Sequence, residues 1–90
     1  MIIKKHLVIS GKVQGVGFRH WMQNLTINNN ISGWVKNKLS GDVEALIIGQ
    51  EKAVQKLIKQ CKIGPSSSTI QNIQINDYDQ DYPKEGFNIF

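Results

Sequence analysis

Ninety residues suit a single domain, residues 1–90, whose one core removes roughly 64% of the unfolded chain's surface from water. The one cysteine, Cys61, excludes an intrachain disulfide and a multi-cysteine metal site, and it suits a reducing compartment. The formal charge of +4 is unevenly placed: residues 1–41 hold Lys4, Lys5, Lys12, Arg19, Lys36 and Lys38 and no acid, whereas residues 63–90 set Asp77, Asp79, Asp81 and Glu85 against Lys84. This asymmetry suits an anionic partner at the N-terminal half, whether a small phosphate or a nucleic acid backbone. For scattered lysines, solubility alone is the simpler reading. The longest apolar run, residues 45–48, is far short of the 18 or so residues of a membrane span, and the N-terminus lacks the apolar stretch of a signal peptide. The expectation is a soluble cytoplasmic protein with no membrane partner.

Residues 3–13 alternate as a strand does, with Leu7, Ile9 and Val13 on one face and Val8 on the other. Gly11, Gly15 and Gly17 then crowd a short loop that leads into Phe18, Trp21, Met22 and Leu25 at helical spacing. The reading is strand, glycine-rich loop, and a helix of about three turns. That helix should stop near Asn28, Asn29 and Asn30, because asparagine tolerates the left-handed conformation that closes many helices. Residues 31–36 and 42–48 are strand-like runs around residues 37–41, a hairpin turned by Gly41. Val54, Leu57, Ile58 and Cys61 make the apolar stripe of a second helix, with Lys52, Lys56, Lys59 and Lys62 on its other faces and Gly64-Pro65 as its stop. Ile70, Ile73 and Ile75 mark the last main strand, their uneven spacing implying a bulge or a late start, and Phe87, Ile89 and Phe90 a short terminal strand. The order βαββαβ specifies an α+β fold, the ferredoxin-like sandwich: an antiparallel sheet with two helices on one face. That fold hosts enzymes, metal carriers, regulatory modules and RNA binders, so it does not give the function.

Arg19 is the sole arginine, and it falls in the first turn of the first helix, directly after the glycine loop. Glycines let successive N–H groups turn into one concavity, and a helix N-terminus adds unpaired N–H groups and positive potential. Helical side chains lean toward the N-terminus, so the Arg19 guanidinium would reach back over the same concavity and grip two phosphate oxygens. Glycine spacing alone leaves two readings open, a phosphate cradle or an ordinary strand-to-helix turn with a surface arginine. The named phosphate motifs do not fit: Phe18-Arg19 follows Gly17 where the Walker loop needs lysine and a hydroxyl, and His20 stands where the dinucleotide motif needs glycine.

The run Ser10-Gly11-Lys12-Val13-Gln14-Gly15-Val16-Gly17-Phe18-Arg19 resembles the first signature of the acylphosphatase family. Gly33-Trp34-Val35-Lys36-Asn37 with Gly41-Asp42-Val43-Glu44 resembles the second, and Gly64-Pro65 and the closing Gly86-Phe87-Asn88-Ile89 also fall where that family has similar residues. The resemblance implies the ferredoxin-like fold. It also implies metal-independent hydrolysis of the carboxyl–phosphate bond of small acyl phosphates, giving a carboxylate and inorganic phosphate. Backbone amides of Gln14, Gly15, Val16, Gly17, Phe18 and Arg19, with the Arg19 guanidinium, would bind the phosphate. The Asn37 amide would position the attacking water, making Arg19 and Asn37 the catalytic residues. No metal and no cofactor are implied, the substrate's own phosphate helps deprotonate the water, and inorganic phosphate or a similar anion acts as product and inhibitor of a monomer.

This chemistry is reasonable from below. The leaving carboxylate has a conjugate acid of pKa about 4, so it departs at neutral pH without a general acid. Phosphoryl transfer then needs mainly positioning and charge neutralisation. A carboxamide at Asn37 both accepts and donates without repelling the phosphate. Without the resemblance, Asn37 would read as a residue favoured in turns.

Other residues carry less. His6 and His20 have no carboxylate or cysteine at ligand spacing and read as surface or packing residues, with His20 near enough to Arg19 to brush the site. Cys61 reads as a buried structural thiol, Trp21 and Met22 as core, and Trp34 as core or pocket wall, core being preferred. Ser40, Thr26, Asn29 and Asn30 depart from the family pattern. Asn30 can still serve as a left-handed cap, whereas Asn29 gives up an apolar contact of the first helix. A nucleic acid binder is the rival reading, but no aromatic stacking platform is evident, so no nucleic acid partner is expected. A catalytically silent anion sensor is the third, against which Arg19 and Asn37 both argue. A metal carrier of this fold would need a cysteine pair near the first helix.

Overall fold

The computed structural model describes residues 1–82 and 85–90. Its elements follow in the order β1 (Ile2–Lys12), α1 (Phe18–Ile27), β2 (Ser32–Asn37), β3 (Val43–Gln50), α2 (Glu51–Cys61), β4 (Thr69–Asp77) and β5 (Phe87–Ile89). The five strands form one sheet ordered β4-β1-β3-β2-β5. Alternation puts Leu7 and Ile9 of β1, Val35 of β2, and Val43, Ala45 and Ile47 of β3 on one face, each fully removed from solvent. Phe18 and Met22 of α1 and Val54, Leu57, Ile58 and Cys61 of α2 close over that face, so both helices pack on the same side. The first four strands pair antiparallel, as a ferredoxin-like sandwich requires. β5 differs: it runs parallel to β2 and extends the sheet by one mixed edge.

The expected bulge is present. Ser10 pairs with Asn72 and Gly11 with Ile70, which leaves Gln71 as the extra residue of β4. This keeps both Ile70 and Ile73 packed against the core despite their spacing of three. Asn30 takes the left-handed conformation at φ 52° that its position after α1 calls for. Asn29 offsets its lost apolar contact, because its Nδ2 donates to the Leu25 carbonyl at 2.6 Å and its N–H to Thr26 at 3.2 Å, closing two orphan carbonyls of the helix end. Among the described residues, no helix is long and apolar enough to cross a membrane.

Trp34 corrects a sequence expectation. It lies on the sheet face away from the helices, where it and His6 flank Leu46 from the neighbouring strands with ring centroids 6.2 Å apart. Leu46 is thereby fully buried with no helix above it. Both Trp34 and Val35 are apolar, but adjacent strand residues point to opposite faces, and the smaller β-branched Val35 takes the core. Beside them His6 Nε2 meets Glu44 Oε2 at 2.6 Å, and Lys36 Nζ stands 3.6 Å from Glu44 Oε1 and 5.3 Å over the Trp34 ring. Desolvation pushes the Glu44 carboxyl up, but the His6 hydrogen bond and the Lys36 and Lys38 charges outweigh it and leave the pKa lowered.

Gly33 holds β2 between its two neighbours. At φ 132° a Cβ there would sit 1.9 Å from the Leu46 carbonyl oxygen, and the Gly33 N–H donates to the Gly86 carbonyl at 3.0 Å on the β5 side. Gly33→Ala should therefore cost about 3 kcal/mol or more, since backbone strain adds to a clash with backbone atoms that cannot give way. Gly41→Ala, also at positive φ but facing open space, should cost only about 1 to 2 kcal/mol. Chemical unfolding of both variants checks the contrast, and equal losses would refute the steric account of Gly33.

Candidate active site

The loop between β1 and α1 takes its shape from two glycines, Gly15 at φ 72° and Gly17 at φ 76°, both in the left-handed region. Neither would bring a Cβ within 4 Å of any atom, so here glycine serves the backbone turn itself. Gly17 is the N-cap of α1 and offers no capping side chain. The first hydrogen bond of the helix end runs from Trp21 N–H to the Gly17 carbonyl at 3.0 Å, so the N–H groups of Phe18, Arg19 and His20 have no carbonyl of their own helix to meet. No acid lies in the first turn of α1, and its positive end is left unneutralised there. Ser67 Oγ braces the loop from the segment before β4 by donating to the Val16 carbonyl at 3.2 Å.

Arg19 is half-buried, and its Nη1 donates to the main-chain oxygen of Phe90 at 3.2 Å, using one of its five N–H donors. Phe90 N–H in turn donates to the Val35 carbonyl at 2.9 Å, and the Phe90 ring lies 6.4 Å from Trp34. The parallel edge strand thus ties the arginine to the C-terminal end of β2. Asn37 is the last residue of that same strand and is exposed. The hairpin turn follows directly, closed by Lys38 N–H to the Asp42 carbonyl at 2.9 Å and Gly41 N–H to the Lys38 carbonyl at 3.1 Å.

Gln14 joins the two halves. Its Nε2 donates to the Lys38 carbonyl at 2.7 Å and to the Asp42 carbonyl at 2.9 Å, pinning the first residue of the loop to the turn beside Asn37. The structure therefore brings the loop of residues 14–19, Arg19 and Asn37 to one end of the sheet. The long-range contacts of Gln14 and Phe90 have no signal in local spacing. Their only trace in the sequence is a two-donor carboxamide at the head of a loop otherwise built of glycine and valine.

The remaining candidates stand apart. His20 is exposed and His6 is engaged by Glu44 on the open sheet face. Cys61 is fully buried, and burial pushes its thiol up to about 12, far from the thiolate a nucleophile needs. A groove of about 670 Å³ opens beside α1 at Gln23, Thr26, Asn30 and Phe87, and another of about 650 Å³ follows the lysines of α2. Neither includes a residue of the 14–19 loop.

Fold and loop define a class: a ferredoxin-like α+β protein whose first strand-to-helix loop is glycine-shaped and leads into a helix with an arginine as its second residue and no acid in its first turn. The Acylphosphatase family model matches residues 5–89. An acylphosphatase of Acidiphilium cryptum is 43% identical over 72 residues, 80% of this chain and 79% of that protein. One from Rhodopseudomonas palustris is 34% identical across 94% of this chain and 91% of its own length. The crystal structure of acylphosphatase from Bacillus subtilis superposes with a TM-score of 0.92 at 32% identity, covering 100% of this chain and 99% of that one. The chain belongs to the acylphosphatase family and is an enzyme of that kind, an acid anhydride hydrolase acting on acyl phosphates.

Proposed function

We propose that residues 1–90 work as one domain that hydrolyses the carboxyl–phosphate bond of small acyl phosphates without a metal ion. In this reading the backbone N–H groups of Gln14 to Arg19 and the Arg19 guanidinium hold the phosphate, and the Asn37 carboxamide orients the attacking water. The observation that carries it is the convergence at one end of β2: an arginine held by its outer edge, an uncapped helix N-terminus, and an exposed carboxamide on the adjoining hairpin.

The water oxygen attacks phosphorus as the acyl oxygen–phosphorus bond breaks, and the bonding pair leaves with the carboxylate. The water's proton passes to a phosphate oxygen, so no protein base is needed. The acid-free first 41 residues suit this chemistry, since a carboxylate near the cradle would repel the substrate. Arginine, backbone N–H groups and the helix dipole are oriented before substrate arrives, and such preorganised groups stabilise transition-state charge with little reorganisation. They supply the neutralisation that a metal ion provides elsewhere. All these groups come from one chain, which supports a monomer, and the buried free thiol of Cys61 is compatible with the reducing cytoplasm.

The experiment is turnover of an aromatic acyl phosphate by purified protein with and without a chelator. The expected result is an unchanged rate in chelator and competitive inhibition by inorganic phosphate. Loss of the rate in chelator, with recovery on adding a divalent cation, would overturn metal independence.

A further inference from the structure

We propose that the side chain of Gln14 is a positioning residue for the reaction: it clamps the β2–β3 turn to the phosphate loop and so sets where Asn37 stands. This rests on the function proposed above and adds a role for the carboxamide, distinct from any role of the Gln14 backbone amide.

Asn37 is poorly fixed by its own strand. Its pairing with Val43 is the last of the β2–β3 ladder, and it is exposed. Beyond it the turn is held by two backbone hydrogen bonds, both of which use the carbonyls of Lys38 or Asp42. The same two carbonyls receive the two N–H donors of Gln14 Nε2, at 2.7 and 2.9 Å. Each carbonyl has two lone pairs, so the turn bonds and the clamp coexist. A planar NH₂ that spans both ends of a turn fixes its distance and tilt, which one bond would not. Gln14 is half-buried, so water competes poorly for these bonds. No other side chain substitutes simply: glutamate has no donor and would set a charge against two carbonyl oxygens, asparagine is one methylene short, and methionine keeps the length but donates nothing. Because Gln14 is also the first residue of the loop, the clamp refers Asn37 directly to the backbone that would hold the phosphate.

The test is a double-mutant cycle between Gln14→Met and Asn37→Ala, read by turnover of an aromatic acyl phosphate and by inhibition with inorganic phosphate. Gln14→Met alone should lower kcat about 10- to 100-fold, the scale of an ångström-level misplacement, while the inhibition constant for phosphate moves less than about two-fold. In the Asn37→Ala background the same substitution should cost less than about two-fold, because nothing remains to misplace. Gln14→Leu, also without donors, should show the same coupled loss, and assays well below each variant's measured Tm separate positioning from unfolding. An unchanged kcat in folded Gln14→Met, or an equal loss with and without Asn37, would overturn the clamp. Wild-type turnover with full activity in Asn37→Ala would instead overturn the water-positioning role, and the clamp with it.

Discussion

Arg19→Ala is expected to lower kcat/KM for an aromatic acyl phosphate by at least about 10³-fold, with inhibition by inorganic phosphate weakened in parallel. Single oxyanion-type donors contribute about 10² to 10³ in rate, and arginines at transferring phosphoryl groups about 10³ to 10⁵. Arg19 belongs toward the upper range because it is the only arginine of the chain and stands at the loop with no acid in its helical turn. The main-chain oxygen of Phe90, whose N–H is bonded to Val35 of β2, fixes one edge of the guanidinium, which limits the rotamer freedom lost when an anion binds. Arg19→Lys keeps the charge but not the planar fork, and it should recover only part of the loss. Stability should hardly change, since the exposed hydrogen bond to Phe90 is worth about 1 kcal/mol at most. Steady-state kinetics beside thermal unfolding decide the matter. An alanine variant with near wild-type kcat/KM would remove Arg19 from the chemistry.

Much of this architecture is legible in local pattern, and the failures share one cause. The stripe of Val54, Leu57, Ile58 and Cys61 is buried as its spacing demands, because a 3.6-residue period leaves little choice of face. Asn30 and the β4 bulge follow equally from local constraints, a left-handed cap and a run of isoleucines out of step. Trp34 escapes because a strand with two adjacent apolar residues has two defensible faces. Its own is decided by His6 and Leu46, which are distant in sequence. The direction of β5 is settled by Gly33 N–H meeting the Gly86 carbonyl, again across more than fifty residues of chain. The site divides the same way. The turn-forming glycines and the helical position of Arg19 are local properties, but bringing Asn37 to them requires the whole β1–β3–β2 order and the Gln14 bridge. A family resemblance supplies that juxtaposition where spacing cannot.

Asn37→Ala should separate chemistry from binding. Its carboxamide is proposed to touch the water and not the phosphate, so kcat should fall about 10²- to 10³-fold while the inhibition constant for inorganic phosphate stays within about two-fold. That split is opposite to the one expected for Arg19, whose loss weakens ground state and transition state together. Asn37 is exposed at a strand end, so truncation should change stability by no more than about 0.5 kcal/mol. Asn37→Asp sharpens the distinction. The shape is preserved, but the donor is lost and a negative charge is set beside an anionic substrate, so phosphate affinity should fall along with kcat. If alanine weakened phosphate inhibition as strongly as aspartate does, Asn37 would be a phosphate ligand, and the water would have to be oriented by another group at the loop. If alanine weakened neither, the turn residue would be only that.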